Sequence, residues 1–141
     1  MTQLTEITDY MQHALAKDNT GHSVDHINRV VALANQILIH EPSANQFIVR
    51  AAALLHDAYD DKLFTTEAEA LAAKKNLITF LQAIQVSRVE ITEMIQIIDN
   101  MSWFKSIEGN AEPLGINGQI VQDADRLEAM GAIAITRAIT Y

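Results

Sequence analysis

The feature that most constrains this chain is a short segment that is apolar on nearly every side and ends in two ionisable residues. Residues 47–55 read FIVRAAALL, and His56 and Asp57 follow directly. A helix that is apolar nearly all round lies in a protein core, so this segment predicts a buried helix from Phe47 to His56. Placing an imidazole and a carboxylate at the end of such a helix is costly unless something compensates both groups. A metal ion is the simplest such partner.

The rest of the chain predicts further helices. Apolar residues recur at helical spacing nearly everywhere, and capping residues or prolines mark where the helices start and stop. The first predicted helix ends near Lys17, and the second runs from about Ser23 to His40. The third runs from Phe47 to His56, and the fourth from the cap Thr66 to about Ala83. The fifth runs from Ser87 to about Asp99, and the sixth starts at about Gln119. Ser43 with Gln46 and Ser87 with Glu90 are interpreted as capping boxes. Residues 101–118 form the long loop, and the apolar pair 120–121 could begin as an extended turn.

These elements predict an all-α fold: a compact, single-domain helical bundle of about six or more helices that spans residues 1–141. With 49% apolar residues and two prolines, the composition favours an ordered, helix-rich chain. The last residues, GAIAITRAITY, still follow a helical pattern. We therefore expect a further C-terminal helical segment that this sequence lacks.

Charge and residue content exclude several classes of function. The formal net charge of −8 leaves no basic surplus for binding a nucleic-acid backbone. The apolar stretches are shorter than the roughly 20 residues that a membrane span needs, and the acidic N-terminus does not read as a signal peptide. A cytoplasmic location is therefore expected. Because the chain has no cysteine, any metal site must be built from His and carboxylate ligands.

Each candidate ligand has a structural alternative when it is considered alone. His56 and Asp57 could simply end a helix, with the imidazole favoured by the helix dipole and the carboxylate opening the loop. His26 lies early on the second predicted helix and could be a partly exposed helix residue. Asp125 borders the apolar face of the last predicted helix, whereas Asp123 points elsewhere.

Taken together, three segments resemble the HD-domain metal-dependent phosphohydrolases. The segments are HSVDHINRVV at 22–31, LLHD at 54–57 and DADRLEAMGA at 123–132, and the resemblance runs in order along most of the chain. It implies an all-α core of the HD type in which a His, a His-Asp doublet and a distant Asp bind one divalent metal ion. Matched residue by residue, the metal ligands are His26, His56, Asp57 and Asp125. The ADRL segment of alarmone hydrolases in this superfamily aligns with residues 124–127, which favours Asp125 over Asp123.

The residues after the doublet provide a candidate general base. Residues 56–61, HDAYDD, match the HDxxED pattern of alarmone hydrolases with Asp60 in place of Glu. In those relatives the acid orients or deprotonates the attacking water, which typically accelerates a reaction by about 10²–10⁴-fold. Because Asp60 is one methylene shorter, either Asp60 or Asp61 is predicted as the catalytic residue. The alternative is that both residues only cap the next segment.

A phosphorylated substrate needs positive charge beyond the metal, because the protein itself is acidic. The candidate substrate-binding residues are Arg29, Lys62, Lys105 and His22. Trp103 and Phe104 could stack on a base or anchor the long loop. No His lies between Asp57 and Asp125, which argues for a single metal ion.

The predicted function is hydrolysis of a phosphate ester or anhydride of a nucleotide or related metabolite by metal-activated water. One divalent ion is expected, with Mn, Mg, Fe, Ni and Co as candidates. A small alarmone hydrolase of the ppGpp type is an alternative that the HDxxDD and ADRL segments favour. A non-catalytic metal- or nucleotide-binding regulatory module is another, because Asp60 replaces the usual Glu. The expected partner is a small phosphorylated molecule, and the oligomeric state is left open, a homodimer included.

Overall fold

Six α-helices make up the secondary structure of the computed structural model, which describes residues 2–16, 22–60, 63–101 and 109–140. No β-strand occurs within those ranges. The helices are α1 (Gln3–Ala14), α2 (His22–Ile39), α3 (Gln46–Leu55), α4 (Glu67–Ala83), α5 (Arg88–Asn100) and α6 (Ile116–Thr140). The prediction of an all-α fold is confirmed.

α3 lies at the centre of the fold because other helices pack against several of its sides. It contacts α1, α2, α5 and α6. Seven of its ten residues are buried, including the three successive alanines 51–53, whose small side chains allow close approach of neighbouring helices. Buried side chains from all six helices join in one core cluster around it. The prediction of a buried central helix is therefore confirmed.

Two of the predicted helix starts are fixed by the expected side-chain caps. The Thr66 hydroxyl accepts a hydrogen bond from the Glu69 amide at 3.1 Å and opens α4. Ser87 and Glu90 form the predicted capping box at the start of α5. α2 lies within one residue of its predicted bounds at both ends. α1 ends earlier than predicted, at Ala14.

The predicted capping box at the start of α3 is wrong. The N-cap is Asn45, whose side-chain oxygen accepts a hydrogen bond from the Ile48 amide at 3.0 Å. Asn is as good an N-cap as Ser, and its carbonyl reaches the third amide of the helix equally well. Ser43 and Gln46 therefore do not cap this helix together.

The predicted start of α6 is also wrong. α6 begins at Ile116 instead of about Gln119, and the apolar residues that follow continue the helix instead of forming an extended turn. Asn117, in the first turn of α6, accepts a hydrogen bond from the Asn45 amide at 2.8 Å and donates one to Glu93 at 2.6 Å. These bonds join the starts of α3 and α6 to α5, and no local sequence signal predicts them.

No helix in the described ranges has both the length and the apolar character needed to cross a membrane.

Two leucines of α4 allow a matched test of the core. Leu81 is fully buried, whereas Leu71 is 53% exposed. We expect Leu81→Ala to lower the free energy of unfolding by about 2–5 kcal/mol, because it leaves a cavity among packed side chains. Leu71→Ala should change it by no more than about 0.5 kcal/mol. Denaturant unfolding followed by far-UV circular dichroism measures both values, and equal effects would contradict this packing.

Candidate metal centre

The C-terminal end of α3 carries a buried imidazole, one nitrogen of which lacks a hydrogen-bond partner among the described residues. His56 is the C-cap of α3, and its side chain is only 4% exposed. Its Nδ1 lies 2.7 Å from the carbonyl oxygen of Ala53. Since a carbonyl can only accept, Nδ1 is the donor, and Nε2 is the lone-pair nitrogen of the neutral ring. Nε2 is buried and has no hydrogen-bond partner among the described residues. A cation within reach would satisfy this nitrogen, which is otherwise costly to bury.

Three further side chains converge on that nitrogen. Asp125 Oδ1 lies 3.1 Å from His26 Nε2 and 3.4 Å from His56 Nε2. The carboxylate of Asp57 lies 3.9 Å from His26 Nε2 and 3.6 Å from His56 Nε2. One ligand atom from each of His26, His56 and Asp57 lies within 4.8 Å of the others, so these atoms could hold a metal ion. Ligand atoms bound at about 2.0–2.2 Å to one ion lie about 3–4 Å apart, which fits most of these spacings.

Three helices bring these side chains together from distant parts of the sequence. His26 lies on α2, His56 and Asp57 follow α3, and Asp125 lies on α6. The three helices contact one another in pairs, so the site forms where α2 and α6 meet the end of α3. Asp123, the neighbouring acid on α6, is exposed.

The carboxylates of this cluster favour positive charge on the imidazoles. Burial alone would lower the pKa of His56, but Asp125 and Asp57 outweigh it and raise that pKa to about 9. The hydrogen bond with Asp125 raises the pKa of His26 against the opposing effect of burial, and Glu128 adds to the rise. Burial would raise the pKa of Asp125, yet the two imidazoles hold it well below its usual range. A divalent cation would take the place of the protons that these imidazoles attract.

Glu128 belongs to this cluster although it was not among the predicted site residues. Its side chain is 9% exposed, and one oxygen lies 2.7 Å from Nδ1 of His26. Its other oxygen accepts a hydrogen bond from Arg29 Nε at 2.6 Å. Burial would raise the pKa of Glu128, but Arg29 and His26 together lower it. The available signal was spacing, because Glu128 follows Asp125 by three residues and so shares its side of a helix.

The remaining predicted site residues are less fully described. Arg29 lies one turn after His26 on α2, and its side chain is 58% exposed. Asp60 is partly buried, and its amide donates a hydrogen bond to the Asp57 carbonyl at 3.2 Å. The predictions for Asp61, Lys62, Trp103, Phe104, Lys105 and the side chain of His22 lie outside the described part of the structure.

Tyr59 attaches the turn after the doublet to two other helices. Its hydroxyl donates a hydrogen bond to Asp99 of α5 at 2.7 Å, and Lys74 of α4 lies 2.6 Å from the other oxygen of that carboxylate. Burial, followed by the nearby Asp99 charge, raises the pKa of Tyr59 well above its usual range, so the phenol stays protonated. Through Tyr59, the turn that carries Asp57 is thus attached to α5 and α4.

The fold and the site together define an all-α protein in which His and Asp side chains from three helices could hold a divalent metal. A protein-family model described as the HD domain matches residues 23–130. The protein YpgQ of Bacillus subtilis (strain 168) is 36% identical over 141 residues, which are 100% of this chain and 67% of YpgQ. The chain therefore belongs to the HD-domain family.

Three solved structures share this fold. A Lactobacillus plantarum protein has a TM-score of 0.79 and 42% identity, with 100% of this chain and 64% of that chain covered. An HD-superfamily hydrolase from Bacillus thuringiensis has a TM-score of 0.72 and 34% identity, with coverages of 99% and 64%. Bacillus subtilis YpgQ, solved in complex with ADP, has a TM-score of 0.69 and 33% identity, with coverages of 98% and 64%. The chain thus spans slightly less than two thirds of the length of these solved chains.

The raised pKa of His56 predicts how stability depends on pH. Its pKa is about 9 in the folded protein against an ordinary value of 6.5, so protonated His56 stabilises the fold fully below pH 6.5. That contribution is lost as the pH rises through about 9. We therefore expect the Tm measured in a chelator to fall across this interval. Because a metal ion replaces the proton, Mn²⁺ should raise the Tm more at the alkaline end than at the acid end.

The control for this pH dependence is His40, which is exposed at the end of α2. His56→Gln should flatten the decline of Tm with pH, whereas His40→Gln should leave it in place. A Tm that rises with pH in the chelator would contradict the assignment of charge to His56.

Proposed function

We propose that this protein is a metal-dependent phosphohydrolase that cleaves a phosphate ester or anhydride of a nucleotide or related phosphorylated metabolite. The observation that carries the proposal is the convergence of His26, Asp57 and Asp125 on the buried Nε2 of His56, which has no hydrogen-bond partner in the described part of the chain. These four residues are the proposed ligands of one divalent metal ion.

The chemistry of the four donors fits this role. Two imidazole nitrogens and two carboxylates suit Mn, Fe, Co or Ni, and Mg where oxygen ligands dominate. Bound here, a divalent ion would activate a water molecule for attack on phosphorus and offset the negative charge of the phosphate. With four protein ligands, a six-coordinate ion would have two positions left, one for the water molecule and one for a phosphate oxygen. The protein's own net charge of −8 makes such an offset necessary for an anionic substrate.

Two further side chains have proposed roles beside the metal. Asp60 follows Asp57 by three residues on the turn after α3, and its carboxylate is proposed to accept a proton from the attacking water. Asp61 is the alternative for this role. Arg29 has five N–H donors, of which Glu128 engages the one on Nε, and its exposed end is proposed to bind phosphate oxygens.

The relatives support the class of reaction and of substrate. The Bacillus thuringiensis protein of the same fold is described as an HD-superfamily hydrolase. YpgQ was solved in complex with ADP, which carries both an anhydride and an ester of phosphate. A nucleotide is therefore the first substrate class to test.

Metal binding is the first step to measure. We expect His56→Ala and Asp57→Ala each to remove most of the bound metal, because each loses one of the four proposed ligands. Metal content after purification and titration calorimetry with Mn²⁺ measure this. His40→Ala and Asp123→Ala are matched controls, since both residues are exposed and outside the cluster. Unchanged metal content in the first pair would show that the ligand assignment is wrong.

Catalysis is tested with Mn²⁺ and a panel of nucleoside mono-, di- and triphosphates and guanosine tetraphosphate. We expect release of phosphate or pyrophosphate from at least one nucleotide. Asp60→Asn should lower kcat by about 10²–10⁴-fold without loss of metal, because the amide cannot accept the proton. Turnover of guanosine tetraphosphate alone would favour an alarmone hydrolase. Tight metal binding without any turnover would favour a non-catalytic module and contradict the proposal.

A further inference from the structure

We infer that Glu128 is a positioning residue that fixes the metal-facing orientation of His26 and the place of Arg29 at the same time. The inference deepens the proposed function and rests on the metal centre proposed there. The Glu128 carboxylate uses one oxygen for His26 Nδ1, at 2.7 Å, and the other for Arg29 Nε, at 2.6 Å.

The contact with His26 sets which ring nitrogen is available to a metal. An ionised carboxylate can only accept, so Nδ1 of His26 donates its proton to Glu128. In the neutral ring, Nε2 is then the lone-pair nitrogen, and it is the atom that lies 3.1 Å from Asp125. Carboxylates that orient a metal-binding imidazole in this way also raise its basicity as a ligand.

The two imidazoles of the centre are oriented by different kinds of acceptor. His56 donates from Nδ1 to the main-chain carbonyl of Ala53, an acceptor that no side-chain substitution removes. His26 donates to the side chain of Glu128 instead. The orientation of His26 therefore depends on one replaceable residue, whereas that of His56 is built into the end of α3.

Each oxygen of the largely buried Glu128 carboxylate has its own donor. The side chain is 9% exposed, and a carboxylate removed from water needs compensating donors. Both contacts are short and involve an ionisable donor, which makes them stronger than bonds between neutral groups. Because Glu128 lies one turn after Asp125, a single helix carries a proposed ligand and the residue that orients another.

The contact with Arg29 links the proposed metal centre to the side chain that is proposed to bind phosphate oxygens. Glu128 holds the Nε edge of the guanidinium, so the position of Arg29 is set relative to His26. Loss of Glu128 should therefore affect metal and phosphate binding together. Loss of Arg29 should affect phosphate binding and leave the His26–Glu128 contact in place.

The test uses Glu128→Gln, which keeps the size of the side chain. It removes the negative charge, so a contact with His26 would no longer be charge-assisted, and its amide group cannot accept a hydrogen bond. Titration calorimetry with Mn²⁺ and no nucleotide should show affinity about 10–100-fold below wild type, the usual effect of losing such a contact. Asp123→Asn, which removes the same charge from an exposed position of α6, should bind Mn²⁺ like wild type. Arg29→Gln should do the same, but should weaken binding of ADP to the Mn²⁺-loaded protein.

A spectroscopic measurement keeps the inference testable if Glu128→Gln is poorly folded. Two-bond ¹H–¹⁵N correlation spectra of the wild-type, Mg²⁺-loaded protein should show the Nδ1-protonated tautomer of His26. The opposite tautomer would overturn the inference, as would wild-type Mn²⁺ affinity in Glu128→Gln alongside reduced affinity in His26→Ala. If no nucleotide is hydrolysed while Glu128→Gln still lowers Mn²⁺ affinity, the inference stands and the proposed catalytic function fails.

Discussion

The burial of α3 determines where polar chemistry can occur in this fold. Neighbouring helices cover most of its length, and apart from Arg50, which donates a hydrogen bond to Asn35 of α2, polar side chains lie at its two ends. One end is capped by Asn45 and joined to α6 and α5, which fixes the position of the helix in the core. The other end presents His56 and Asp57 where α2 and α6 approach. The position of the candidate metal centre thus follows from helix packing as much as from the residues proposed to bind the ion.

Much of this organisation could be predicted because it follows from local patterns. Helical periodicity and the caps Thr66 and Ser87 set most helix bounds to within a residue or two. The apolar run before His56 correctly predicted a buried helix that ends in the site. His26 and Asp125 could be predicted only from the resemblance to a family, since each is an ordinary helix residue when it is considered alone. In the structure the carboxylates of Asp57 and Asp125 lie within 4 Å of the imidazole nitrogens of His26 and His56.

Most of the features that escaped prediction are polar contacts between distant parts of the chain. Asn45 caps α3 with its own side chain, but its backbone amide donates to Asn117, which is distant in sequence. Glu128 and Tyr59 likewise act through partners on other helices, which neither periodicity nor capping rules can reveal. Local sequence signals report which face of a helix is buried. They do not report which polar side chains meet across the interface between two helices.

Tyr59 has a consequence for the choice of metal ion. Asp57 lies on a turn that the Ala53 carbonyl holds at its start and the Tyr59–Asp99–Lys74 chain holds at its end. Selectivity among divalent ions depends on cavity size and on how freely the ligands can move. If Asp57 binds a metal ion, the freedom of its turn to adjust would depend on the contacts of Tyr59. Those contacts belong to α5 and α4, which supply none of the four proposed ligands.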